Sequence, residues 1–312
     1  MTVYKDRNDK LINYIRSGES SIPSKVNDII LLKQDNDVDS DYDKYCTLPN
    51  IKVLSCDATS INEKRHFGYH WAINNGYDAI IWLDDDIRKN VCHSDFKTTV
   101  PSGYWKNFTI PIDNAIDRML EMYEEHEDCG MIANYKLGYL SGSKKKEYKN
   151  MACHPGGFVL VNISNTKKYP EIDYPTSTDW MEDIYFYLTM LICGVPVYVM
   201  GDYTFNIGNM YFKPGANNSL AYADEDGGIM KRDKQLIRQY LKFGGDLYLY
   251  KGHILNKFKH GKYFKNDNLP IPYGQEFDEE LMTLCKSREI DDELVKQVTE
   301  YLQEKKLRPK KK

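Results

Sequence analysis

Apolar residues in the first two hundred positions arrive in short runs, each closed by a polar or acidic cluster. Residues 28–32 and 50–55 read as buried strands, the first ending at Lys33, Gln34 and Asp35, the second at Cys56 and Asp57. Residues 79–83 (Ala-Ile-Ile-Trp-Leu) form a third run and stop abruptly at Asp84, Asp85 and Asp86. Between these runs the period changes. Residues 10–17 place Leu11, Ile12 and Ile15 on one helical face, and residues 60–75 read as a longer helix. Ser60 and Glu63 are spaced as a capping box, and Gly76 is placed to stop that helix. Strand, helix and strand at this spacing predict right-handed crossovers and a parallel sheet.

Farther along, residues 112–126 predict an amphipathic helix, 156–161 a glycine-led strand, 179–192 a helix and 196–200 a short strand. Residues 231–243 read as another helix, and 278–304 as one or two exposed helices. There is no internal repeat and no clean linker. The expectation is an α/β domain over residues 1–215, with a basic, helical extension over 216–312 packed on it.

Composition narrows the classes. A content of 41% hydrophobic and 28% charged residues is ordinary for a soluble globular chain. The formal net charge of -4 argues against a molecule that binds nucleic acid by overall electrostatics. Seven cysteines, with no C-x-x-C pair, fit a reducing compartment better than a disulfide framework or a structural zinc site. The first residues carry charge at Lys5, Asp6 and Arg7, and no run approaches the ~18 apolar residues of a membrane span. A cytoplasmic protein without a membrane is the expectation, and no obligate protein partner is evident.

The acidic end of the third run carries most of the chemistry. Open α/β sheets place ligands at the carboxyl ends of their strands. Carboxylates there suit Mg²⁺ or Mn²⁺ completed by a substrate's phosphates. Alternate residues of an extended segment point the same way, so Asp84 and Asp86 can reach one ion while Asp85 faces elsewhere. An acidic turn is the competing reading. Lys64 and Arg65, near the start of the preceding helix, make either an anion site or a solvated face. Asp35 and Asp57 follow strands at the same edge, as base or ribose partners or as turn formers. Glu182 and Asp183 open the 179–192 helix beside Trp180, either as helix-start acids or as a general base next to a stacking platform. His154, Gly156 and Gly157 belong to a loop where backbone can approach a ligand, or to a plain turn. Lys144, Lys145, Lys146 and Lys149 form one basic segment. Residues 251–265 form another, with His253 or His260 as an optional metal ligand.

This order of features resembles the nucleotide-sugar glycosyltransferases of the GT-A fold. The matching parts are Tyr4, Lys5, Asp6 and Arg7 near the start, Lys64 and Arg65, the three aspartates 84–86, Gly156 and Gly157, and the stretch Trp180, Met181, Glu182 and Asp183. They span residues 1–210, about two thirds of the chain. The resemblance implies a Rossmann-related, mostly parallel sheet flanked by helices. It implies that Asp84 and Asp86 hold Mn²⁺ or Mg²⁺, with His253 outside the resemblance as the further candidate ligand. Tyr4, Arg7, Asp57, Lys64, Arg65 and Asp85 would contact a UDP-sugar donor. Asp183 would be the base, seconded by Glu182, and His154, Gly156, Gly157 and Trp180 would face the acceptor. The first apolar strand of that fold is barely present, and the last third of the chain shows no assignable pattern. Size and the basic late segment are similar to phage DNA-modifying enzymes that glycosylate hydroxymethylated pyrimidines. DNA is therefore the expected acceptor, in a host cytoplasm. A surface polysaccharide or protein acceptor, a nucleotidyltransferase and a non-catalytic nucleic-acid binder are the alternatives. The nucleotidyltransferase lacks its early glycine-rich phosphate loop.

Overall fold

The computed structural model describes residues 9–34, 50–84, 87–99, 105–136, 145–150, 157–176, 182–205, 246–250, 253–257 and 293. The chain divides into two compact units. The first comprises residues 1–176 and 189–208, the second 177–188 and 209–312.

The first unit begins with α1 (Asp9–Arg16) and the single-turn α2 (Ile22–Lys25). Strands β1 (Ile29–Gln34) and β2 (Ile51–Cys56) pair in parallel, with Ile29 opposite Ile51 and Gln34 opposite Cys56. Helix α3 (Ile61–Asn74) leads to β3 (Ala79–Leu83), a long hairpin joins β4 (Asn90–Thr99) to β5 (Trp105–Pro111), and α4 (Ile112–Glu125) leads to β6 (Met131–Lys136). The short β7 (Glu147–Lys149), β8 (Phe158–Asn162), the single-turn α5 (Ile163–Thr166) and β9 (Val197–Phe205) complete it.

A seven-stranded sheet runs in the order β3-β8-β6-β9-β4-β5, with β7 on β9. Within it β6 and β9 are parallel. The pairs β3–β8, β6–β8, β4–β9, β4–β5 and β7–β9 are antiparallel. This corrects the expectation of a mostly parallel sheet: the fold is mixed α/β. The pattern of apolar runs located β1, β2, β3, β8 and β9 but missed β4, β5, β6 and β7, and it carried no information on strand direction. β3 itself, the strand before the acidic cluster, is bonded to an antiparallel neighbour, Leu83 lying opposite Phe158.

The core forms where α1 and α4 meet β1, β3, β6, β8 and β9. Leu11, Ile12 and Ile15 of α1 and Ile112, Ala115, Ile116, Met119 and Met122 of α4 are all buried there. Apolar residues at three- and four-residue spacing put one face of α4 into that core. Asp113 ties the two helices together. It accepts from Tyr14 Oη at 2.7 Å, Ser20 Oγ at 2.9 Å and the Ser21 backbone N–H at 2.5 Å. These donors hold its carboxyl below the ordinary range against the opposing effect of burial.

Helix α3 starts as the sequence predicts. Ser60 Oγ accepts from the Glu63 N–H at 3.2 Å, and the Glu63 carboxylate accepts from the Ser60 N–H at 3.1 Å. Hydrogen bonds from the side chains and backbones of Thr59 and Ser60 lower the Glu63 carboxyl. The helix stops at Gly76, whose φ of +75° lies where side chains are disfavoured. Gly68 lets α3 settle on the strands. A Cβ there would meet the Trp82 ring at 2.6 Å and Leu32 Cδ1 at 2.8 Å, so one glycine faces β1 and β3 together.

The division into units passes through α6 (Glu182–Ile192), after Leu188. In the second unit the described residues are the start of α6, the antiparallel hairpin of β10 (Asp246–Tyr250) and β11 (His253–Lys257), and residue 293. The expected helices over 231–243 and 278–304 lie outside the described residues, apart from position 293. Among the described residues no helix is long and apolar enough to cross a membrane. The described cysteines Cys56, Cys92, Cys129 and Cys193 are free thiols. Burial pushes Cys129 up to about 11.

Candidate active site

β3 is apolar because its end is enclosed: Trp82 and Leu83 are buried. The chain then turns, and Asp84 is the first polar residue after them. Its N–H donates to the Gly157 carbonyl at 2.8 Å, one step past the β3–β8 ladder. Its carboxylate is held from α3, where Arg65 Nη2 donates to Oδ1 at 3.0 Å and to Oδ2 at 2.9 Å. The Arg65 side chain is 4% exposed and that of Asp84 25%, so a buried cation fixes a carboxylate that solvent still reaches. Each carboxylate oxygen has more than one lone-pair site. Asp84 can therefore accept a hard cation while Arg65 keeps its orientation, and its donor atoms fit Mg²⁺ or Mn²⁺.

Gly157 closes the other side. A Cβ at this position would lie 1.8 Å from Asp84 Oδ2 and 1.9 Å from its Cγ. The glycine expected to approach a ligand thus approaches Asp84 itself. Arg65, expected as part of an anion cradle, lies against Asp84. Lys64 is buried, which removes the solvated-face reading for it. Asp57 is exposed and lines a groove of about 590 Å³ along α3, with Thr59, Glu63, His66, His70, Trp71 and Thr176 among its walls.

Glu182 and Asp183 do occupy the first turn of α6, Glu182 buried and Asp183 half-buried, with Asp183 Oδ1 accepting from the Ile184 N–H at 2.8 Å. His253 begins β11, paired through the backbone with Tyr250. Tyr4, Arg7, Asp35, Asp85, Asp86, Lys144, His154, Gly156, Trp180 and His260 lie outside the described residues. Of the basic loop, Lys145 and Lys146 are exposed. Lys149 is engaged by Asp128 at 2.8 Å and stands over the Tyr198 ring.

Two features escaped sequence reading. Asp202 on β9 is buried, and burial pushes its carboxyl from 3.8 up to about 6, with Arg118 and Lys146 pulling weakly the other way. The second is a cluster on α3. His66 Nδ1 lies 3.0 Å from Asp173 Oδ1, and His70 Nε2 lies 2.9 Å from Asp173 Oδ2. The two imidazoles are 4.4 Å apart, centre to centre. The four-residue spacing of the histidines was visible in the sequence, but their partner is 107 and 103 positions away.

No family model matches this chain, and no curated protein matches it. Among solved structures it is similar to S. aureus TarS 1-349, with a TM-score of 0.45 and 12% identity over 65% of this chain and 58% of that one. It is also similar to GalNAc-T7, solved with UDP, GalNAc and Mn²⁺, with a TM-score of 0.42 and 11% identity over 63% of this chain and 40% of that one. The chain thus spans less than two thirds of the length of either.

Proposed function

We propose that this chain is a GT-A-type, metal-dependent glycosyltransferase that moves a sugar from a UDP-sugar to an acceptor hydroxyl. The observation that carries this reading is Asp84: a carboxylate at the carboxyl end of β3, next to the buried Trp82 and Leu83, clamped by Arg65 from the preceding helix and backed by Gly157. Asp84 and Asp86 would hold Mn²⁺ or Mg²⁺, which supplies charge neutralisation for a departing diphosphate. Asp85, Asp57, Tyr4, Arg7 and Lys64 are assigned to the donor, and His253 is the remaining candidate ligand. Asp183, with Glu182, takes the proton of the acceptor hydroxyl as its oxygen bonds to the anomeric carbon and UDP leaves with the other bonding pair. Trp180, His154, Gly156 and Gly157 are assigned to the acceptor side. Hydroxymethylated pyrimidine in DNA is the proposed acceptor, on the strength of the basic segments at 144–149 and 251–265.

Purified protein incubated with a panel of UDP-sugars and Mn²⁺ should release UDP, and EDTA or Asp84→Asn should stop it. Mass spectrometry of nucleosides from hydroxymethylcytosine DNA treated in the same way should show a sugar adduct. Unchanged activity in saturating EDTA would refute the metal assignment. UDP release without any DNA adduct would move the acceptor to a polysaccharide or protein.

A further inference from the structure

We infer that His66, His70 and Asp173 form a second cation site, of a different ligand class from Asp84, which takes a borderline divalent ion such as Zn²⁺. Residues four apart share a helix face, so His66 and His70 project together from α3. They converge through different ring atoms, Nδ1 of one and Nε2 of the other, on the two oxygens of one carboxylate. All three ligand atoms lie within 4.8 Å of one another. Asp173 is itself oriented, accepting from the Tyr174 N–H at 2.7 Å.

Zinc bonds of 2.0–2.2 Å place tetrahedral ligand atoms about 3.4 Å apart. The N···O separations here are 3.0 and 2.9 Å. An ion entering between them opens these two pairs by about half an ångström, with each imidazole presenting a lone pair where it now faces the carboxylate. The side chains are 36%, 45% and 31% exposed, so the ion has a way in. Two nitrogens and one oxygen select zinc-like ions over Mg²⁺, which prefers oxygen alone. Three protein ligands leave a fourth position open, and His66 and His70 are themselves walls of the α3 groove. Among the described residues, a second grouping of this kind, Glu125, His126 and Glu147, is not equivalent. There Arg118 already bonds Glu125 and Glu147, and a cation would have to compete with it.

The site is independent of the glycosyltransferase reading, and its test is Zn²⁺ binding by the full chain without a polyhistidine tag. After stripping with EDTA, the wild type should take up one more equivalent of Zn²⁺ than His66→Ala/His70→Ala, in competition with a chromophoric chelator. Asp84→Asn should keep that equivalent, and excess Mg²⁺ should not displace it. Single variants His66→Gln and His70→Gln guard against a misfolded double variant. Each should weaken the extra equivalent by at least the 10–100-fold that removal of a mere supporting partner costs. Co²⁺ in the same site should give the visible absorption of a tetrahedral complex, absent from the double variant. Equal Zn²⁺ stoichiometry and affinity in wild type and folded single variants would overturn the assignment.

Discussion

A methyl group is enough to disturb the acidic end of β3. In Gly157→Ala the new carbon would fall 1.8 Å from Asp84 Oδ2, so either the carboxylate or the backbone must move. A displacement of about 1 Å at a reacting centre costs roughly a hundredfold in rate. UDP release by Gly157→Ala should fall by about that much, with circular dichroism close to wild type. Asp202 makes a separate prediction about pH. Its carboxyl sits at about 6 in the fold against 3.8 when free, so the folded chain holds this proton more tightly than the unfolded one. Its favourable contribution is complete below pH ~4 and is lost as pH rises through about 6. Asp202→Asn should therefore stabilise the protein at pH 8 by about 1–3 kcal/mol and change little at pH 4. Urea unfolding at the two pH values reads the difference, and equal stabilities at pH 8 would contradict the buried, ionised carboxylate.

Helix α3 carries more of the site than any other element. Its start is fixed by the Ser60–Glu63 box, its fifth residue is Arg65, and His66 and His70 follow on the same helix. Ser60→Ala should cost about 1 kcal/mol of stability, the usual worth of such a cap. Thermal melts of the two proteins would show it, and an unchanged midpoint would mean that tertiary packing alone sets the helix start. The capping box, the limits of α3 and α4 and the β1, β2 and β3 strands were legible because each is encoded within one short run of adjacent residues. Strand direction was not legible, since β3 reads the same beside a parallel or an antiparallel neighbour. The β4–β5 hairpin was missed because His93, Ser94 and Asp95 interrupt its apolar pattern, although Ser94 is buried. In the site, Asp84, Arg65 and Gly157 were each visible, but not that Arg65 and Gly157 both meet Asp84. Asp173 gave no signal, because its role comes only from histidines a hundred positions earlier.

Across the whole molecule the net charge of -4 disfavours DNA, so any acceptor duplex must be met by local basic segments. Lys145 and Lys146 are exposed members of one such segment, whose exposed Lys149 is engaged by Asp128. Replacing both with alanine should raise the KM for DNA. It should also flatten the dependence of log affinity on log salt by up to about 0.9 for each phosphate that a lysine no longer neutralises. Identical salt slopes for variant and wild type would take these lysines out of the acceptor path. Trp82 has a consequence of another kind. Its buried indole packs on Gly68, stands edge-on to the Tyr174 ring at 6.0 Å, and lies two residues before Asp84. Tyr174 in turn follows Asp173. One ring thus lies two residues from Asp84 and against the neighbour of Asp173, and amounts to a built-in optical probe. In a variant with Trp71, Trp105 and Trp180 changed to Phe, Mn²⁺ and Zn²⁺ should alter the emission of Trp82 in two separately saturating steps. Asp84→Asn should erase the first, and His66→Ala/His70→Ala the second.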